Sequence, residues 1–105
     1  LPAAVEVADR FTLDAARKFR PGANFPPGDA QVIIEIDGQP RSVRGEARDL
    51  AAVLRAMKAT AVEIATTEAA CEKLWNLRRA YSGSLKATGL RKLNEDIVVP
   101  RGRLV

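Results

Sequence analysis

The sequence predicts an α+β fold in which helices lie on one face of a mostly antiparallel sheet. Three observations lead there. Short β-branched segments alternate with longer ones whose apolar residues recur at helical spacing, giving the order β-α-β-α-β-α-β. No strand end carries the glycine-rich turn that marks a doubly wound parallel sheet. The chain has 105 residues, 47% hydrophobic and 29% charged, enough to bury one core without disulfides or metals.

Ala3 to Ala8 sets Val5 and Val7 on one face, as a short strand does, although its alanines also suit a helix. Asp9 is placed to cap a short helix over 11–19, where Phe11, Ala15 and Phe19 recur at helical spacing until Pro21-Gly22 stops it. A loop through Pro26-Pro27-Gly28 feeds the β-branched strand Gln31 to Asp37, bounded by Asp37-Gly38. Ser42 to Lys58 carries Val43, Ala47, Leu50, Leu54 and Met57 at spacings of three and four, predicting an amphipathic helix that lies on the sheet. Ala61 to Ala65 reads as a third short strand. Thr66 or Thr67 then caps a helix whose positive N-terminal end favours Glu68. That helix runs to Tyr81 or Leu85, with Gly83, Thr88 and Gly89 marking its fraying and the loop into a last strand, Lys92 to Val99. Together these elements describe a ferredoxin-like sandwich.

With one cysteine, Cys71, no intrachain disulfide forms, and without histidine the usual zinc sets cannot be assembled. The apolar Cys71 side of its helix predicts a buried core thiol without a histidine base, so nucleophilic catalysis by it is not expected. No apolar run reaches the ~20 residues of a membrane span and no signal-peptide order opens the chain, which predicts a cytoplasmic protein. The net charge of +4 is scattered among acids rather than massed on one face, against nucleic-acid binding. Trp75 reads as packing or as an interface anchor, and no aromatic platform for single-stranded nucleic acid is present.

Candidate chemistry lies on the last helix and strand. On a wheel of about 100 degrees per residue, Leu74, Leu77, Tyr81 and Leu85 form one stripe, and Arg78 falls among them. A desolvated, unpaired guanidinium costs several kcal/mol. Arg78 must therefore snorkel, pair with an acid such as Glu35, Asp37 or Asp96, or receive an anionic ligand. Its planar fork suits a carboxylate through two parallel charge-assisted hydrogen bonds. Ser82 lies one turn on, beside it, whereas Arg79 points to solvent. In the last strand, alternation sets Lys92, Asn94 and Asp96 on one polar face. That face is either a water-facing surface or, at Asn94 and Asp96, the lining of a polar pocket.

The run Cys71-Glu72-Lys73-Leu74-Trp75-Asn76-Leu77-Arg78-Arg79, then Tyr81 to Lys86, then Leu93-Asn94-Glu95-Asp96-Ile97-Val98-Val99-Pro100-Arg101-Gly102-Arg103-Leu104, resembles the FAD-linked oxidases of the vanillyl-alcohol-oxidase-like superfamily. More narrowly, it is similar to the C-terminal cap domain in the branch holding the glycolate oxidase FAD-linked subunit, D-lactate dehydrogenase and D-2-hydroxyglutarate dehydrogenase. Leu1 to Glu6 and Val32 to Gly38 fit the start of that domain, so the likeness spans nearly the whole chain. The resemblance implies a cap over the flavin that supplies part of a 2-hydroxy-acid site. Arg78 would meet the substrate carboxylate, and Ser82 and Asn94 would face the substrate. The hydroxyglutarate branch has lysine at the place of Asn94, so the resemblance leaves the hydroxy acid open.

The expectation is a partial substrate-cap domain of an FAD-dependent enzyme that oxidises a D-2-hydroxy acid to the 2-oxo acid. The FAD-binding domain and a His-Gly-Asp-Gly-Asn-type motif would lie outside these residues, so the fragment alone would be inactive. Its partners would be the small hydroxy acid, the rest of its own polypeptide and an electron acceptor, with no nucleic acid and no membrane span. The rival expectation is a non-enzymatic ferredoxin-like binding or regulatory module.

Overall fold

A computed structural model describes residues 2–93, 98–100 and 103. Two strands, β1 (Ala4–Ala8) and β2 (Gln31–Glu35), pair antiparallel, with Glu6 opposite Ile33 and Val7 opposite Val32. Alternation puts Val5, Val7, Val32 and Ile34 on one side of this ribbon and Glu6, Ala8, Gln31 and Ile33 on the other. The valine side is open to solvent, Val7 being 68% exposed. The second side carries the core.

Helix α1 (Arg10–Phe19) follows β1 after one residue, Asp9, whose side chain accepts from Thr12 N at 2.9 Å. That capping bond satisfies one of the four N–H groups a helix start leaves unpaired. Hydrogen bonds from Thr12, its backbone N–H foremost, hold the Asp9 carboxyl below its ordinary value. Fully buried Leu13 and Ala16 then pack with Ala8 and with Tyr81 of α3 (Glu68–Ala87), and Phe25 leans on this cluster. The loop between α1 and β2 is tied down by Arg17, whose Nη2 donates to Pro26 O at 2.7 Å and Gly28 O at 2.8 Å. Gly28 makes that turn at φ 109°, a backbone conformation other residues rarely adopt.

Helix α2 (Pro40–Ala56) starts two residues before the sequence expectation because Pro40 occupies its first turn, where a missing N–H costs nothing. It ends in a Schellman motif, with Ala59 N bonded to Leu54 O and Lys58 N to Arg55 O. Lys58 stands at the left-handed position of that motif, at φ 64°, where glycine is usual. Helix α3 is capped by Thr67, whose hydroxyl accepts from Ala70 N at 3.2 Å, with Glu68 in its first turn. The chain is thus α+β with an antiparallel sheet, as expected.

Four expectations need correction. Ala61–Ala65 forms no strand: its few apolar side chains reach no partner edge, and Ile64 is substantially exposed. Among the described residues no strand lies beneath α2, so its predicted stripe is only half-buried at Val43, Ala47, Leu50 and Leu54, Met57 is 76% exposed, and Ala51 is the one buried residue of the helix. Gly83 sits inside α3 rather than at a frayed end, the helix continuing to Ala87 with Tyr81 and Ser84 buried on either side of the glycine. Cys71 is exposed rather than in the core, because α3 turns toward α1 only from its middle onward, where Tyr81 and Ser84 are the buried residues. Of the last predicted strand, Lys92 to Val99, residues 94–97 lie outside the described residues. Of its flanks, Lys92, Leu93, Val98 and Val99 have no strand pairing.

Candidate functional site

The inner side of the ribbon and one face of α3 enclose a cavity of about 220 Å³. Its polar lining is Glu6, Gln31, Arg78, Tyr81, Ser82 and Lys92, and Ile33 and Leu85 add apolar wall. Helical spacing from Arg78 to Ser82 places both on the same face of α3, one turn apart. Glu6 reaches the cavity because it alternates with the outward Val5 and Val7.

Arg78 donates from Nε at 3.2 Å and from Nη2 at 3.0 Å, both to Glu6 Oε2. The two side chains remain 43% and 39% exposed, so this ion pair is at the cavity mouth rather than in dry core. The partner differs from the acids named from the sequence. Glu35 stands at the far end of the ribbon opposite Ala4, Asp37 lies past its end, and Asp96 is outside the described residues. Arg79, by contrast, pairs with Glu72 on the solvent side of the helix, as its wheel position predicts.

Tyr81 forms the floor. Its ring packs against Phe25 at 5.8 Å between centroids, and its hydroxyl donates to Gln31 Oε1. Burial raises the Tyr81 pKa above its ordinary value, with Arg17 opposing weakly, so the phenol stays a protonated donor at neutral pH. At the other end, α3 stops at Thr88, and Gly89 at φ 78° turns the chain back. Lys92 consequently lies over the last turns of α3 and donates from Nζ to Ser82 Oγ at 2.7 Å.

The cavity therefore joins Arg78 and Ser82, two of the residues singled out from the sequence; Asn94 lies outside the described residues. Glu6, Gln31, Tyr81 and Lys92 were missed as site residues. Glu6 had a legible signal, a carboxylate alternating with valines in an apolar strand. Lys92 had a weaker one, sharing the polar face of Asn94 and Asp96. Tyr81 shared the helical stripe of Arg78, and Gln31 had no signal. With two cations against one carboxylate and a neutral phenol, the lining holds a net positive charge and suits a small anion bearing hydrogen-bond acceptors.

The family model for the FAD linked oxidases, C-terminal domain, matches residues 1–105. No curated protein matches the chain. No solved structure matches it. Among the described residues, no helix is long and apolar enough to cross a membrane.

Proposed function

Because the chain belongs to the FAD-linked oxidases through their C-terminal domain, we propose that it forms the substrate-carboxylate side of an FAD-dependent oxidoreductase that converts a D-2-hydroxy acid, such as glycolate or D-lactate, to its 2-oxo acid. Family membership carries the oxidoreductase assignment and FAD as the cofactor of the full-length protein. The observation that carries the substrate class is the small cationic cavity holding Arg78 and Ser82 together.

The described residues do not fit FAD itself. The cavity is smaller than the roughly 300–1,000 Å³ of sites for drug-sized ligands. The strand-to-helix connections offer no glycine-rich cradle for a pyrophosphate, β1 passing to α1 through Asp9 alone. A hydroxy acid of a few heavy atoms does fit. In this reading the domain binds and orients the acid against a cofactor held by the rest of its own polypeptide, and electrons leave to an external acceptor.

Arg78 is the residue assigned to the carboxylate. Glu6 engages its Nε and Nη2, and among the described residues no acceptor engages Nη1. A carboxylate accepting there is held by a charge-assisted bond and keeps its reacting carbon in a fixed direction. In the complete flavoprotein, Arg78→Ala should lower kcat/KM for the hydroxy acid by about 10- to 150-fold, the value of a hydrogen bond to a charged group. Arg79→Ala, on the solvent side of the helix, should leave it unchanged. Equal losses in the two variants would reject the assignment.

A further inference from the structure

Arg78 is the obvious anchor for an anion, yet Glu6 has already drawn on its charge: both donors that Glu6 engages converge on one carboxylate oxygen. The pair is nearly neutral seen from the cavity. The remaining charge is that of Lys92. Its ammonium is partly buried, lines the same cavity, and among the described residues bonds only to a neutral oxygen, Ser82 Oγ at 2.7 Å. Lysine carries three N–H donors and the serine hydroxyl takes one. A partly desolvated ammonium seated on a hydroxyl keeps two N–H donors, and an incoming carboxylate is the partner that compensates its charge best.

We propose that Lys92, seated on Ser82 by the Gly89 reversal, is the specificity-determining cation of this cavity: it selects a small monoanionic acid over its neutral analogue, while Arg78, held by Glu6, sets the orientation of that acid. The proposal rests on the reading of the cavity as a carboxylate site and deepens it. One net positive charge matches one carboxylate. Ser82 has a second task, because its hydroxyl accepts from Lys92 and can donate its own proton to the same ligand oxygen. Arginine could not replace this arrangement fully, since a guanidinium presents a fork where the cavity holds a point charge.

The test uses the complete flavoprotein with D-lactate and glycolate as substrates, and with propionate and propionamide as competing ligands. Lys92→Gln should raise KM about tenfold with little change in kcat, the loss of one charge-assisted contact made equally in ground and transition states. The preference for propionate over propionamide should fall by the same factor, and the thermal midpoint should not move. Lys92→Arg should restore most of that preference. Should Lys92→Gln bind propionate and propionamide with the parent ratio while Arg78→Ala is impaired, Lys92 has no such role and the carboxylate reading stands. Should both variants behave as the parent, the carboxylate reading fails as well. Should Lys92→Gln lower the thermal midpoint and weaken acid and amide alike, Lys92 is a structural residue and the proposal is overturned.

Discussion

The Glu6–Arg78 pair can be weighed with a double-mutant cycle, using Glu6→Ala, Arg78→Ala and the double variant. At 3.0 Å the bare attraction is about 1.4 kcal/mol in water and about 5.5 kcal/mol at an effective dielectric of about 20. Both side chains are roughly two-fifths exposed, so solvent screening and the entropy of fixing two long side chains remove most of that gain. The expected coupling is about 0.5–1 kcal/mol, in the range measured for exposed pairs. Equilibrium urea unfolding of the chain and its three variants gives the number, and repeating it at high salt should shrink it further. A coupling of about 3 kcal/mol or more, the signature of a buried pair that cannot be opened, would refute the reasoning. The value matters for function. A weak pair lets Arg78 share its guanidinium with an incoming carboxylate at small cost, whereas a strong one would lock it into structure.

Other consequences follow from the core and the caps. Leu13→Ala removes a fully buried side chain at the junction of α1, α3 and β1 and should cost about 3 kcal/mol in urea unfolding. Asp9→Ala should cost about 1 kcal/mol at neutral pH. Since the folded Asp9 pKa is depressed, its contribution is present above the unfolded value of about 3.9 and is lost as pH falls through the folded value. The gap between parent and Asp9→Ala should therefore narrow as pH falls below about 3.9, whereas the gap to Asp9→Asn, which keeps a capping oxygen, should be smaller at every pH. Lys58→Gly relieves a left-handed residue at the end of α2 and should raise stability by about 1 kcal/mol, read as a higher urea midpoint.

What the sequence made legible was whatever depended on neighbours along the chain. Asp9 before Phe11, Thr67 before Glu68 and the valine alternation of β1 specify their elements locally, and the structure starts α1, α3 and β1 within one residue of those expectations. What escaped depended on contacts far apart. Ala61–Ala65 has a strand's composition, but a strand exists only where an edge receives it, and none does. The stripe on α2 is real in the sequence but only half-buried at Val43, Ala47, Leu50 and Leu54, with Met57 in solvent. Arg78 was legible as an inward cation; its partner Glu6, 72 residues away, was not, because several acids satisfied the same rule. Lys92 needed the Gly89 turn to reach Ser82, a geometry that period-two alternation alone would not give.

The Arg17 tether has a bearing on how the cavity could be redesigned. Arg17 does not line the cavity, yet it pins the loop that carries Phe25, Phe25 supports the Tyr81 ring, and Tyr81 is the floor. Ligand size is thereby governed from behind, by a residue two layers removed from the charged groups that govern ligand sign. Trimming Phe25 to leucine would deepen the floor while Arg17 keeps the loop in place and Glu6, Arg78, Ser82 and Lys92 keep theirs. A library confined to position 25 would thus explore longer acids without disturbing how their carboxylate is read.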